Sequence, residues 1–330
     1  MISAMVVGNS PNESRFEISL CGIIEQDAEW ILGRQIGAGG SDRGKRIIDI
    51  CALSPGKAFM NRARISAATI PPPLLNSPVG VATAIPEPDV LGGLNEWQTD
   101  CIETGLQIGF LTREFHSGQS YIRQAVSYPD CWFSKLIGIE NKPDLSTPGD
   151  LIAQLEFDVS ISLFDHIILA TETYVTEAHL NRIPETVGVW RFDPESNERT
   201  VVREPMMLDS GQAGIEITQR LNDRADIYPI TADEKRRARR DIAERTYGKG
   251  WRTYDPPACQ SASVTASGQI FCNHFESLID PSQRCGPDCP GYAEDDPPVM
   301  NPDDLRDART PWIKNPLGAE RRQSGLSEFF

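Results

Sequence analysis

The chain has 330 residues, 39% hydrophobic and 24% charged, proportions of a globular protein rather than of a disordered or collagen-like one. No apolar run is long enough to span a bilayer, and the first fifteen residues lack the basic start and apolar core of a signal peptide, which predicts a cytoplasmic protein without a membrane partner. A formal net charge of −15 excludes nonspecific attraction to nucleic acid over the whole surface, leaves room for a local basic groove, and suits a salt-loaded, halophilic cytoplasm.

In chain order, residues 1–14 read as a loose leader. From Arg15 to about Arg34, Phe16, Leu20, Ile23, Ile24 and Ile31 recur at helical spacing, with Glu17, Glu25 and Glu29 on the same helix. Gly37 to Gly44 reads as a loop, because it lacks the Gly-Lys-Ser ending of a phosphate cradle and no strand feeds it. Arg46 to Leu53 is an apolar strand interrupted by Asp49. An acid there is costly unless it is paired, bonded to backbone at a strand end, or bound to a metal. Pro55 to about Asn95 is proline-rich and patternless, an insertion wrapping the surface. Glu96 to Leu106 predicts a helix, and Phe110 to Gln124 two strands around His116-Ser117-Gly118-Gln119. Helix then hairpin is a fragment of a winged-helix pattern within an insertion taken as 57–130.

Trp132 to Lys142 is a strand that begins apolar and ends in Glu140-Asn141-Lys142. Strand alternation puts Glu140 and Lys142 on one side, with Ile139 and Asn141 on the other. The carboxylate can hold a divalent cation while the ammonium orients a water. Alone, Glu-x-Lys is common and serves equally as a surface ion pair. Thr147 as N-cap and Pro148 open a helix with a buried stripe of Leu151, Leu155, Val159 and Leu163, and Gln154 lies off that stripe. A strand at His166–Thr171, a short helix at Ala178–Leu180 and a strand at Val187–Phe192 follow. Helices alternating with strands imply an α/β layer. His166 and His179 read as packing histidines, and no Gly-x-Ser-x-Gly elbow is present.

Ala232 to Arg252 is a basic helix carrying Arg236, Arg237, Arg239, Arg240, Lys249 and Arg252. It either grips phosphates or is a solvated helix laced with ion pairs one turn apart. Cys259, Cys272, Cys285 and Cys289 are separated by twelve, twelve and three residues. In a reducing compartment such a cluster is more often a metal site than a disulfide framework. Four thiolates suit structural Zn²⁺ within a module spanning 226–292, with His274 able to replace one. An iron–sulfur cluster or free thiols are the alternatives. Cys21, Cys51, Cys101 and Cys131 read as small buried hydrophobes, and 293–330 as a disordered acidic tail.

Glu17 on a helix, Asp49 on a strand, the Glu140-Asn141-Lys142 strand, the Gln154-Leu155 helix, the strand after Phe164-Asp165, and Ile183-Pro184 leading through Gly188-Val189 into a last strand follow one another in order. Over about residues 15–56 and 131–193 the chain thereby resembles the PD-(D/E)XK, restriction-endonuclease-like nuclease superfamily. It is also similar to a family of haloarchaeal proteins, from which no activity carries over. No proline precedes Asp49, and about ninety residues separate it from Glu140, a longer gap than usual. The resemblance implies a mixed sheet flanked by helices, with a nuclease-like core over 15–56 and 131–225. It implies Mg²⁺- or Mn²⁺-dependent hydrolysis of a nucleic-acid phosphodiester, DNA before RNA, in repair, recombination or defence. Asp49, Glu140 and the Asn141 carbonyl would ligate the metal, Lys142 would position water, Glu17 would complete the shell, and Gln154 would steady Lys142 or a phosphate. The rivals are an inactive nucleic-acid-binding protein on the same fold, and a structural protein whose Asp49, Glu140 and Lys142 form a buried network.

Overall fold

The computed structural model describes residues 11–27, 29–39, 46–147, 149–220 and 224–316. Its elements are α1 (Pro11–Asp27), β1 (Ile31–Gly37), β2 (Ile47–Pro55), α2 (Phe59–Ala63), α3 (Pro72–Leu75), β3 (Ile85–Pro86), α4 (Glu96–Gln107), β4 (Leu111–His116), β5 (Gln119–Gln124) and β6 (Phe133–Asn141). There follow α5 (Leu151–Ile161), β7 (His166–Thr171), α6 (Glu177–Leu180), β8 (Gly188–Asp193), β9 (Glu198–Arg203), β10 (Gly214–Arg220), β11 (Ala225–Ile230) and α7 (Ala232–Lys249). The chain ends in β12 (Ala262–Val264), β13 (Ile270–Cys272), β14 (Ser277–Ile279), α8 (Pro281–Arg284) and α9 (Pro302–Arg309).

The molecule is mixed α/β. Six strands form a sheet in the order β1-β2-β6-β7-β8-β9. β1 pairs antiparallel with β2 and β2 antiparallel with β6, while β6, β7 and β8 are parallel and β9 closes the edge antiparallel. Strands inside a sheet covered on both faces are apolar throughout, and β7 fits, with Ile167, Ile168, Leu169 and Ala170 all buried. On one face Leu136, Ile167 and Leu169 pack with Leu155 of α5 and Ile242 and Tyr247 of α7. On the other, Ile50, Ile139 and Ile168 pack with Phe16, Leu20 and Ile24 of α1 and with Trp251 and Ile270.

Several expectations are corrected. The first helix starts at Pro11, inside the expected leader, and stops at Asp27. Ile31, expected on that helix, opens β1 instead. Gly33 lets this strand run against α7, since a Cβ there would lie 2.9 Å from the Thr246 Cα. The α5 N-cap is Asp150 rather than Thr147, and Pro148 lies outside the described residues. The buried stripe of α5 is Leu151, Leu155, Asp158 and Ile161. The insertion is not a patternless wrap: Ile70, Leu74, Ile102, Phe110, Leu111 and Ile122 form a core of their own under a β3-β5-β4 sheet. Of the expected disordered tail, α9 is helical and Trp312 is buried. Arg306 donates to the Thr246 and Tyr247 carbonyls at 3.1 and 2.6 Å, capping the end of α7. Residues 317–330 lie outside the described residues. Among the described residues no helix is long and apolar enough to cross a membrane.

Candidate functional site

β2 and β6 pair with Ile50 opposite Ile139, so the next residues outward, Asp49 and Glu140, share one end of the two strands. The Asn141 N–H donates to Asp49 Oδ2 at 2.9 Å. The apolar face of α1 is buried over this end of the sheet and carries Glu17 in with it, fully buried. Gln35 interrupts β1 with a φ of 53°, a conformation non-glycine residues seldom adopt outside constrained sites. Its Nε2 donates to Glu17 Oε2 at 3.0 Å and Asp49 Oδ1 at 3.2 Å. Arg34 donates to Glu17 Oε1 at 2.5 Å and to Asp280 Oδ2 at 2.6 Å. Arg46 Nη2 lies 2.6 Å from Glu140 Oε1 and 2.7 Å from Asp158 Oδ2 on α5.

β6 ends at Asn141, so alternation no longer governs Lys142. Its Nζ lies 2.8 Å from Glu13 Oε1 on α1, whereas Glu140 is tied through Arg46 to α5. The shared side expected for Glu140 and Lys142 is therefore corrected. Glu13, Arg15, Phe16, Lys142 and Asp144 line a cleft of about 560 Å³ beside the strand ends.

The electrostatics run in one direction. Burial, then the charge of Asp49, pushes the Glu17 carboxyl up to about 7. Burial and Asp49 likewise hold Glu140 well above the carboxylate range. Burial raises Asp49 and Asp158 against the pull of their hydrogen bonds and of Arg46. The cations are shared out: Arg46 serves Glu140 and Asp158, and Arg34 serves Glu17 and Asp280. Asn141 Oδ1 is buried without a hydrogen-bond partner, whereas Glu140 Oε1 has the Arg46 guanidinium 2.6 Å away as its ion-pair partner. A set of hard oxygen donors with one buried, unpartnered oxygen, Asn141 Oδ1, would suit a hard divalent cation. Among the described residues no three His, Cys, Asp or Glu side chains stand close enough together to hold a metal ion. Arg46 holds Glu140 toward α5, while Gln35 holds Glu17 and Asp49 toward α1.

Of the residues singled out from sequence, Glu17, Asp49, Glu140, Asn141 and Lys142 gather here. Gln154 does not, and stays exposed on α5. Asp158, one turn further on, is the α5 residue that reaches the site. Its signal was available, since it sits three residues after Leu155 and seven after Leu151, on the apolar stripe. Arg34 and Gln35 carried none while their segment read as helix.

The basic helix is corrected as well. α7 packs under β1, β2 and β6, so most of its cations meet the chain's own oxygens. Arg239 donates to the Leu163 carbonyl at 2.7 Å and to Asp165. Arg240 reaches Asn76 at 2.8 Å and Lys249 the Gln35 carbonyl at 2.8 Å. Arg252 is buried against Glu25. Arg236, paired with Asp233, and Arg237 remain exposed. In the C-terminal module, burial and then the charges of Cys272, Cys259 and Cys289 push the Cys285 thiol up to about 11, so those three sulfurs lie near enough to be felt at Cys285.

Residues 31–294 match the model of a family described as a family of unknown function, DUF5787. No curated protein and no solved structure matches the chain.

Proposed function

The chain belongs to the DUF5787 family, and from the site itself we propose that it hydrolyses nucleic-acid phosphodiesters with Mg²⁺ or Mn²⁺ on a restriction-endonuclease-like core. The observation that carries this reading is the meeting of Asp49 and Glu140, ninety residues apart in sequence, at adjacent strand ends beside a cleft lined by Lys142. The order of the parts also supports it: α1 with Glu17, β2 with Asp49, β6 with Glu140, then α5 and the parallel strands β7 and β8.

Asp49, Glu140 and the Asn141 carbonyl hold the cation, and Glu17 completes its surroundings. When bound, the cation supplies Lewis-acid stabilisation of charge on the phosphoryl oxygens. Lys142 neutralises the approaching phosphate and orients the attacking water in the cleft. Glu13 keeps the Lys142 ammonium at the cleft wall. The surrounding apolar core, Phe16 and Ile139 among it, keeps bulk water from the carboxylates, which strengthens every charge interaction there.

One observation favours a second reading, a purely structural network: Arg46 already bridges Glu140 and Asp158. Nuclease assays on DNA and RNA with Mg²⁺ or Mn²⁺ decide between them. The wild type is expected to cleave, while Glu140→Ala and Lys142→Ala bind substrate but cut about 10²-fold or more slowly. Binding without cleavage by the wild type indicates an inactive nucleic-acid-binding protein. Neither activity in the wild type leaves the structural network standing.

A further inference from the structure

We propose that Cys259, Cys272, Cys285 and Cys289 bind one Zn²⁺ ion, a structural site that fastens the C-terminal module against the sheet. This does not depend on the nuclease reading. β12, β13 and β14 are three residues each, too little to bury a core alone, and modules of this size are ordinarily stapled by a metal or disulfides. All eight cysteines are free thiols here.

The backbone gathers the four from separate directions. Cys272 ends β13 opposite Ala262, and the Ala262 N–H donates to the Cys259 carbonyl at 3.0 Å, so Cys259 enters at the end of the sheet where Cys272 leaves. Cys259 also bridges to Glu294, and the Gln260 N–H donates to the Ala293 carbonyl at 2.8 Å. That pairing draws in the loop after Cys289, whose own turn is closed by the Cys289 N–H on the Gly286 carbonyl at 3.0 Å. The same loop presses on the β13–β14 turn, because a Cβ at Gly291 would run into the His274 ring. Cys285, directly after α8, packs beside Cys272 against one apolar cluster that includes Trp251. Three independent links therefore converge on one end of a small sheet. Among the described residues no three of these side chains stand close enough together to hold a metal ion, so the thiolates must close in on binding, as zinc drives off their protons.

Zinc is favoured over a disulfide pair because four cysteines converge rather than two by two. Tetrahedral four-thiolate sites suit zinc, and an iron–sulfur cluster is the alternative that the test separates. The test is elemental analysis of the full-length chain, with chelator-stripped protein then titrated with Zn²⁺ against a chromogenic chelator. The expected result is about one zinc per chain, re-bound after stripping, and lost about tenfold or more in Cys285→Ser and Cys289→Ser. Cys131→Ser, altering an exposed cysteine outside the module, keeps it. Iron with visible absorbance, disulfides by mass, or wild type that neither carries nor re-binds zinc overturns the proposal. If a Cys→Ser chain fails to fold, the wild-type measurement alone still decides.

Discussion

Arg46 stands 2.6 Å from Glu140 and 2.7 Å from Asp158, and so governs how much negative charge the strand ends leave for a cation. Arg46→Ala leaves two buried carboxylates without their shared partner. Unfolding in urea at pH 7.5 with EDTA is expected to show a loss of about 3–5 kcal/mol, part of it recovered by millimolar Mg²⁺; an unchanged midpoint means the bridge contributes nothing. Asp165 is the counterpart away from the site. Burial works against its ionisation, but the Arg239 charge with hydrogen bonds from Ser210 and the Leu136 N–H outweighs burial and holds the carboxyl below its usual range. A depressed folded-state pKa gives stability that is present above the unfolded value near ~3.9 and lost as pH falls through the folded one. Asp165→Asn is therefore expected to be less stable than wild type at pH 7 by about 2–4 kcal/mol, with the gap closing below about pH 4. A gap that stays constant across pH removes the linkage. Both residues teach the same lesson about legibility. Asp49 and Glu140 could be singled out because an acid in an apolar strand is conspicuous, whereas their partners came from segments whose contacts no local pattern encodes.

At the scale of elements, β2, β6, β7 and β8 were legible because each is a short apolar run, and the hairpin β4–β5 because a Ser-Gly turn separates its strands. β1 was not, since Ile31 lies seven residues after Ile24 and so completes a helical period by coincidence. α7 misled for a different reason: its cations read as a surface stripe, yet the helix lies in the core and they bond to carbonyls at the ends of neighbouring elements. The same helix fixes the insertion. Arg62 pairs with Glu244 at 2.5 Å, and Tyr128 donates to Glu244 at 2.8 Å. Gly248 lets the backbone at Thr69 close in, because a Cβ there would collide with the Thr69 nitrogen and Oγ1. Replacing a helical glycine by alanine ordinarily stabilises by about 1 kcal/mol. Here the sign is expected to reverse, with Gly248→Ala losing about 1–3 kcal/mol in thermal or urea unfolding. A stabilised variant would mean that the insertion does not dock on α7 as described.

Across the whole molecule, charge is unevenly placed. Among the described residues eight acidic but five basic side chains are buried, with Arg46 and Arg239 half-buried beside them, so acids outnumber bases in the interior as they do in the whole chain. The two populations answer to different ions. Surface repulsion in a chain of net charge −15 is relieved by any salt, as the screening length falls from about 10 Å at 0.1 M to about 3 Å at 1 M. Raising KCl over that range is therefore expected to raise the melting temperature of wild type and Glu140→Gln alike. The strand-end acids are screened far less, and only an ion that enters among them relieves their mutual repulsion. A few millimolar Mg²⁺ added in 1 M KCl hardly alters screening, yet a site filled at a hundred times its Kd stabilises by about 2.7 kcal/mol, a shift of a few degrees in a chain of this length. That increment is expected in wild type and absent in Glu140→Gln, which removes a ligand charge without leaving an unpaired one. A magnesium effect that disappears in 1 M KCl, or that survives in the variant, would make it general screening and leave Asp49 and Glu140 without a cation to share.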